Sequence, residues 1–299
     1  MGGVEGERFT SPIAPRRYRD LGHFPLRRGK MRHVQSWDAS MPETLKITDA
    51  APGVAVVAFN RPEVANALST RMGLELLEAW TALAARSDLR CVILTGEGRH
   101  FQAGADLKER NGMTDEVWAD QHRVFEAMAR AQLAVPVPVI AAVNGAAMGG
   151  GCEMTLLSDF AYAAETARFG LPEVGLGIMP GLGGTQLLTR SAGERRALEI
   201  LVSGRPLSAA EALQAGIVNR VVPAAELMDA ALETAQRIAA NAPLSVRALK
   251  HVVHEGHSLD LAAAMELELS HYNRLFKTAD RREGVASFNE KRPPQFRGA

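Results

Sequence analysis

The sequence predicts an α/β protein on two observations. Up to about residue 190, apolar runs of strand length alternate with segments of helical period, as in Val54–Phe59, Arg90–Thr95 and Val137–Val143 set against Leu68–Leu83 and Trp118–Gln132. From about Glu194 onward helical periodicity dominates the chain. The picture is strand-rich units carrying helices, followed by a mostly helical C-terminal region.

Bulk properties narrow the function classes. The chain has 299 residues, 46% hydrophobic and 23% charged, which supplies ample material for a core. Lys plus Arg and Asp plus Glu both total 34, a balance that argues against a dedicated nucleic-acid binder. No run reaches the roughly 18 uninterrupted apolar residues of a membrane helix. The richest stretch, Leu133–Met148, is interrupted by Pro136, Pro138, Asn144 and Gly145. The two cysteines, Cys91 and Cys152, have neither metal nor redox spacing and fit a reducing cytoplasm.

The first 43 residues stand apart. Up to residue 35, Arg8, Arg16, Arg17, Arg19, Arg27, Arg28, Lys30 and Arg32 face only Glu5, Glu7 and Asp20, and the segment has no helical or strand period and no apolar h-region. A basic, disordered extension is expected there, with Met31 and Met41 both able to initiate. Leu45, Ile47 and then Val54–Phe59 read as two strands around the turn Asp49–Gly53. Leu68, Met72, Leu76, Trp80 and Leu83 recur at helical steps, with Ser69 as the cap. A strand from Arg90, a helix over 118–132 and a buried strand over 137–143 follow. Shorter strands are expected at Phe160–Ala164 and around Phe169. Helices are expected at Ala209–Ala215, Leu227–Ala240, Ser245–His254, Leu259–Phe276 and Arg281–Glu290.

Three stretches carry chemistry. His100–Glu109 follows a strand and a glycine turn and opens a helix, where unpaired N–H groups suit an oxyanion. Small residues at 103–105 admit a ligand to the backbone, although a tight strand-to-helix turn would explain them alone. In Val143–Glu153, three consecutive glycines, Gly149, Gly150 and Gly151, come off a buried strand. They forgo side-chain burial, so close backbone contact or positive φ is their usual reason. Glu153 follows at the start of a helix expected over Met154–Leu157, among apolar neighbours. A helix-start carboxylate held by the dipole is the plainer reading, but it leaves the glycines unexplained. In the third stretch, Glu173 is the only charge between Arg168 and Arg190, a setting that raises a carboxyl pKa by desolvation. Two such glutamates, brought together, would divide into an acid and a base.

Other motifs fail. Gly175-Leu-Gly177 lacks the third glycine of a dinucleotide fingerprint, and neither a phosphate-binding Gly-Lys-Ser/Thr loop nor a Gly-x-Ser-x-Gly elbow occurs. His251, His254 and His257 read as solvated positions near a helix end, and no metal site is expected.

Together the three stretches resemble the crotonase, or enoyl-CoA hydratase/isomerase, family. Supporting motifs run from Asn60-Arg61-Pro62 and Ala65-Asn66-Ala67-Leu68, through Thr185–Arg190, Gly204-Arg205 and Gly216–Asn219, to Phe288–Arg292. The resemblance implies a spiral of repeated β-β-α units over 44–235 and a helical trimerisation region over 236–299, assembled as trimers or pairs of trimers. It implies that the amides of Ala105 and Gly150 hold the thioester oxygen, with Glu153 as the base toward water and Glu173 as the proton donor at the α carbon. Substrate or CoA contacts are implied at Ala65, Ala67, Ala103, Asp106, Leu107, Lys108, Gly149, Pro172 and Gly181, and at Phe288 and Lys291 near the C-terminus. CoA is part of the substrate, and no separate cofactor is implied. The activity implied is hydration of 2-enoyl-CoA. Rivals within the family are Δ3,Δ2-enoyl-CoA isomerisation, 3-methylglutaconyl-CoA hydration and carnitinyl-CoA dehydration; a non-catalytic CoA-binding scaffold is the rival outside it. Leu171 stands where many hydratases carry Gln and Leu182 where many carry Ala, both expected to line or flank the acyl pocket.

Overall fold

The computed structural model describes residues 42–299; the basic segment expected at 1–43 lies outside them except for Pro42 and Glu43. The chain winds as the expected spiral. Its main layer is a six-stranded sheet in the order β1 (Leu45–Ala51), β2 (Val54–Phe59), β3 (Cys91–Gly96), β4 (Val139–Val143), β6 (Phe160–Ala164) and β9 (Arg220–Val222). Only β1 runs antiparallel to its neighbour. A second, smaller layer is formed by β5 (Ala146–Met148), β7 (Arg168–Gly170) and β8 (Leu207–Ser208). Two single bridges extend this layer, Leu68 to Ala105 and Gln102 to Ala147.

Both faces of the sheet are covered over β2, β3 and β4, which is why those strands read as continuous apolar runs. Period-two alternation assigns the faces. Val92 and Leu94 of β3 join the large core beneath α1 (Thr70–Ala85) and α3 (Asp115–Leu133), while Cys91 and Ile93 face the core under α8 (Leu227–Ala239). Ser69 caps α1, accepting from the Met72 amide as its position suggests. Between these helices, α2 (Leu107–Arg110) is a single turn, capped by Asp106.

Three expectations shift. Helix α4 spans Gly150–Leu157, beginning earlier than Met154, so Gly150 is its first residue and Glu153 lies in its first turn. The stretch after the third glycine-rich motif forms α5 (Gly184–Ala192) and α6 (Glu194–Ser203), with β8, α7 (Ala209–Gln214) and β9 following. The three histidines are not uniformly solvated. On α9 (Pro243–Gly256), His254 Nε2 lies 2.7 Å from Asp159 Oδ1, and His251 packs on His271 of α10 (Leu261–Leu275). The polar appearance of α9 conceals a face docked on the spiral. Among the described residues no three His, Cys, Asp or Glu side chains gather at metal-binding distances.

Asp159 is the anchor of that docking. It accepts from Lys250 Nζ at 2.7 Å and from the Val139 amide at 2.7 Å, and Lys250 also donates to the Val137 carbonyl. Burial alone would raise the Asp159 carboxyl, but His254, Lys250 and the Val139 amide outweigh it and hold it below the ordinary carboxylate range. Its contribution to stability is therefore complete above that range and is lost as pH falls through its depressed value. Asp159→Asn leaves the buried Lys250 ammonium without a counter-charge. The expected cost is about 3 kcal/mol in urea unfolding at pH 7, and a loss under about 0.5 kcal/mol, the scale of ordinary surface substitutions, would contradict the anchoring role.

Candidate active site

The second, smaller layer brings the three motifs together. The Gln102 amide donates to Ala146 O and the Met148 amide to Gln102 O, each at 2.9 Å, so the 102–105 loop runs beside the 146–151 turn. Gln102 Oε1 accepts from the Gly104 amide and shapes the loop from within. The Leu68 amide donates to Gly104 O and the Asp106 amide to Leu68 O, which leaves Ala105 between two paired neighbours. Its own amide donates to no acceptor among the described residues, and nor does that of Gly150, which as the first residue of α4 has no intrahelical partner.

The glycine triplet divides by cause. Gly149 has φ +52°, and a Cβ there would lie 3.2 Å from Glu173 Oε1. At Gly151 a Cβ would lie 2.2 Å from the Gln102 carbonyl oxygen. Gly150 is different, because its nearest neighbour would be Leu68 at 3.6 Å, an ordinary contact. Internal packing accounts for two of the glycines; the third keeps backbone open on the cavity side.

That cavity measures about 700 Å³, a size suited to a substantial organic ligand. Both acids line it. Glu153 is 3% exposed, and its Oε1 accepts from the Leu182 amide at 2.7 Å and the Gly184 amide at 2.9 Å. Burial pushes its carboxyl above the ordinary value, and the amides of Gly184, Leu182 and Gly181 pull it back. Glu173, 8% exposed, sits on a 3-10 turn (Glu173–Leu176) after Pro172, and its Oε2 has no hydrogen-bond partner. Burial pushes it up to about 7, with the charge of Glu153 adding to the effect against a bond from its own backbone amide. The pair is thus asymmetric: Glu153 is held by main-chain donors, whereas Glu173 is short of a donor and is pushed up to about 7.

Of the positions implied by resemblance, Ala103, Ala105, Leu107, Gly149, Gly150, Glu153, Pro172, Glu173 and Gly181 line this cavity. Ala65, Ala67, Asp106 and Lys108 stand behind or beside its wall. The Ala65 carbonyl accepts from the Ala103 amide, the Ala67 carbonyl from Arg61, and Asp106 pairs with Arg61 at 3.0 Å while capping α2. Lys108 is exposed. Phe288, on α11 (Ala279–Asn289), is 83% exposed, and neither it nor Lys291 lines the cavity. Leu182 lines the cavity, whereas Leu171 is buried in the large core behind Pro172. Residues that sequence reasoning passed over are Arg110 and the α3 side chains Trp118, His122 and Phe125, which form the opposing wall. The helical period of α3 could have raised Trp118, His122 and Phe125, since they recur at steps of four and three.

A spiral of β-β-α units carrying two buried acids and two unpaired amides on one cavity defines a crotonase-type enzyme. The family described as enoyl-CoA hydratase/isomerase matches residues 49–299. Short-chain-enoyl-CoA hydratase of Clostridium acetobutylicum is 40% identical over 240 residues, covering 80% of this chain and 92% of the relative. The 2,3-dehydroadipyl-CoA hydratase of Escherichia coli is 40% identical over 254 residues, 82% of this chain and 95% of the relative. The crystal structure of enoyl-CoA hydratase from Bacillus anthracis superposes with a TM-score of 0.85 at 41% identity, covering 86% of this chain and all of that one. The chain belongs to the enoyl-CoA hydratase/isomerase family, and it is an enzyme of the hydro-lyase type.

The raised Glu173 carboxyl has a consequence for stability. Between its ordinary value of 4.5 and about 7 the folded state binds more protons than the unfolded, so stability falls as pH rises through that window. Glu173→Gln removes this penalty. In calorimetry the variant should melt above the parent at pH 8, and the gap should narrow at pH 5; a gap independent of pH would show that Glu173 titrates normally.

Proposed function

We propose that this enzyme adds water across the double bond of 2-enoyl-CoA thioesters, giving 3-hydroxyacyl-CoA. The observation that carries the reading is the placement of two electrostatically unequal carboxyl groups in one cavity with two unpaired main-chain amides. The thioester oxygen is taken by the amides of Ala105 and Gly150. Attack of water on the β carbon sends electron density to that oxygen, and fixed N–H dipoles stabilise the charge as it develops. Glu153 accepts the water proton while its oxygen joins the β carbon. Glu173 gives its proton to the α carbon as the enolate collapses. Afterwards one proton rests on Glu153 and one is missing from Glu173, and transfer between them or through solvent restores the pair.

The amides on Glu153 favour its ionised form and the orphaned oxygen of Glu173 favours the protonated one, which supports this division of roles. The reading needs no cofactor, since CoA arrives with the substrate. We place the reaction in the cytoplasm, where Cys91 and Cys152, both buried and unpaired, would remain reduced. No helix of the described residues is long and apolar enough to cross a membrane.

Loss of enoyl absorbance from crotonyl-CoA tests the reaction. Glu153→Gln and Glu173→Gln should each lower kcat by about 10²–10⁴-fold with little change in KM. Parallel loss of binding and rate, or normal turnover in either variant, would overturn the assignment.

We also propose that the C-terminal helices meet other copies of the chain. No residue of α10 is buried, and Leu261, Met265, Leu269 and Tyr272 expose apolar surface along it. Sedimentation should show a trimer or a pair of trimers, and Met265→Glu combined with Leu269→Glu should shift the population toward monomer. A monomeric parent protein would refute this.

A further inference from the structure

The cavity contains one cation that the hydration chemistry does not use. Arg110, the last residue of α2, lies in the wall opposite the glycine-rich turns, with its guanidinium 4.2 Å from the Trp118 ring centroid and 5.7 Å from that of Phe125. Its Nε donates to Gln121 Oε1 at 2.8 Å. Gln121 is itself buried and fixed, since its Nε2 donates to Thr70 Oγ1 and to Glu109 Oε2. Glu109, the nearest acid in sequence, is occupied by Gln121 and by the Thr70 amide.

The guanidinium is therefore stacked and oriented, yet no acceptor among the described residues takes its two terminal nitrogens. Arg110 is half-buried; burial lowers its pKa and the charge of Glu109 partly offsets that. A half-buried guanidinium, oriented by Gln121 and the aromatic rings and with two unused donors, is complementary to an anion that accepts two parallel hydrogen bonds. Two anions could enter with a CoA thioester: a phosphate of the CoA or a carboxylate on the acyl group. Phosphates are strongly hydrated and suit exposed cations such as Lys108. Arg110 sits instead among aromatic side chains within the cavity.

We infer that Arg110 is a specificity-determining residue that receives a carboxylate at the far end of the acyl chain, so that the preferred substrate is a 2-enoyl mono-thioester of a short dicarboxylic acid. This deepens the hydration reading and rests on it for the reaction, though not for the binding.

The test compares glutaconyl-CoA with 2-pentenoyl-CoA, which carries a methyl where the first carries a carboxylate. The parent enzyme should favour glutaconyl-CoA by at least about tenfold in kcat/KM, the scale of a charge-assisted pair. Arg110→Met should abolish that preference, lowering kcat/KM for glutaconyl-CoA about tenfold more than for 2-pentenoyl-CoA; Arg110→Lys should restore part of it. Calorimetry with glutaryl-CoA and pentanoyl-CoA reads the same preference without turnover. If neither thioester is hydrated but glutaryl-CoA still binds more tightly through Arg110, the hydration reading fails and the anion site stands. If Arg110→Met weakens both acyl-CoAs alike, the arginine holds the CoA moiety and the inference is wrong. A parent enzyme that prefers the neutral chain overturns it equally.

Discussion

The site depends on holding the Glu153 carboxyl inside the protein with fixed donors that offset part of the cost of its burial. An ionised acid moved out of water loses hydration worth far more than one hydrogen bond returns, so Glu153 needs several donors in fixed positions. The turn entering α5 supplies them from its backbone, through Leu182 and Gly184. A Cβ at Gly184 would lie 3.0 Å from both Cγ and Oε1 of Glu153, so side-chain growth there would press on the acid it serves. The interaction ties α4 to α5 and fixes the cavity wall that runs from Gly181 to Leu182.

Once Glu153 is held this way, Glu173 follows by contrast. It lies on a short 3-10 turn with one oxygen lacking a donor, buried near a second negative charge. Both influences favour the neutral form of Glu173, whereas the main-chain donors on Glu153 favour its ionised form, so the two environments push the pair apart. The separation follows from backbone supply: the α5 entry delivers amides to one acid and none to the other. The energetic burden falls on stability, since a proton-hungry carboxyl penalises the fold at higher pH.

Much of this was legible in the sequence, for identifiable reasons. The steps of α1 and the cap at Ser69 encode a helix locally, and the apolar runs of β2 to β4 follow from burial on both faces. The glycine triplet and the isolated Glu173 stood out because each violates the expectations of a packed core. What stayed hidden depends on contacts distant in sequence. The amides of Leu182 and Gly184 have no side-chain signature. His254 looks like a surface residue until Asp159, 95 positions away, is placed against it. Arg110 sits in the polar run Lys108-Glu109-Arg110-Asn111, and nothing local distinguishes it from solvated neighbours. Leu171, expected at the pocket, is drawn into the core by the strand β7 that precedes it, a matter of register rather than composition.

On the proposed reading, the donors to the reacting atoms and those to the substrate's periphery come from different chemical sources. The open amides of Ala105 and Gly150 and the donors to Glu153 are main-chain groups set by strand pairing and helix starts. No substitution short of proline removes such a group, and the geometry survives wherever the fold does. The opposing wall is built from α2 and α3 side chains, Arg110, Trp118, His122 and Phe125, which can change without disturbing the sheet pairings. A scaffold arranged this way conserves its reaction by topology and varies its substrate by single residues on two helices. On the reading proposed above, a cation on that second wall selects what the acyl group carries, while Glu153 takes its donors from the α5 entry and the amides of Ala105 and Gly150 take their positions from strand bridging and a helix start.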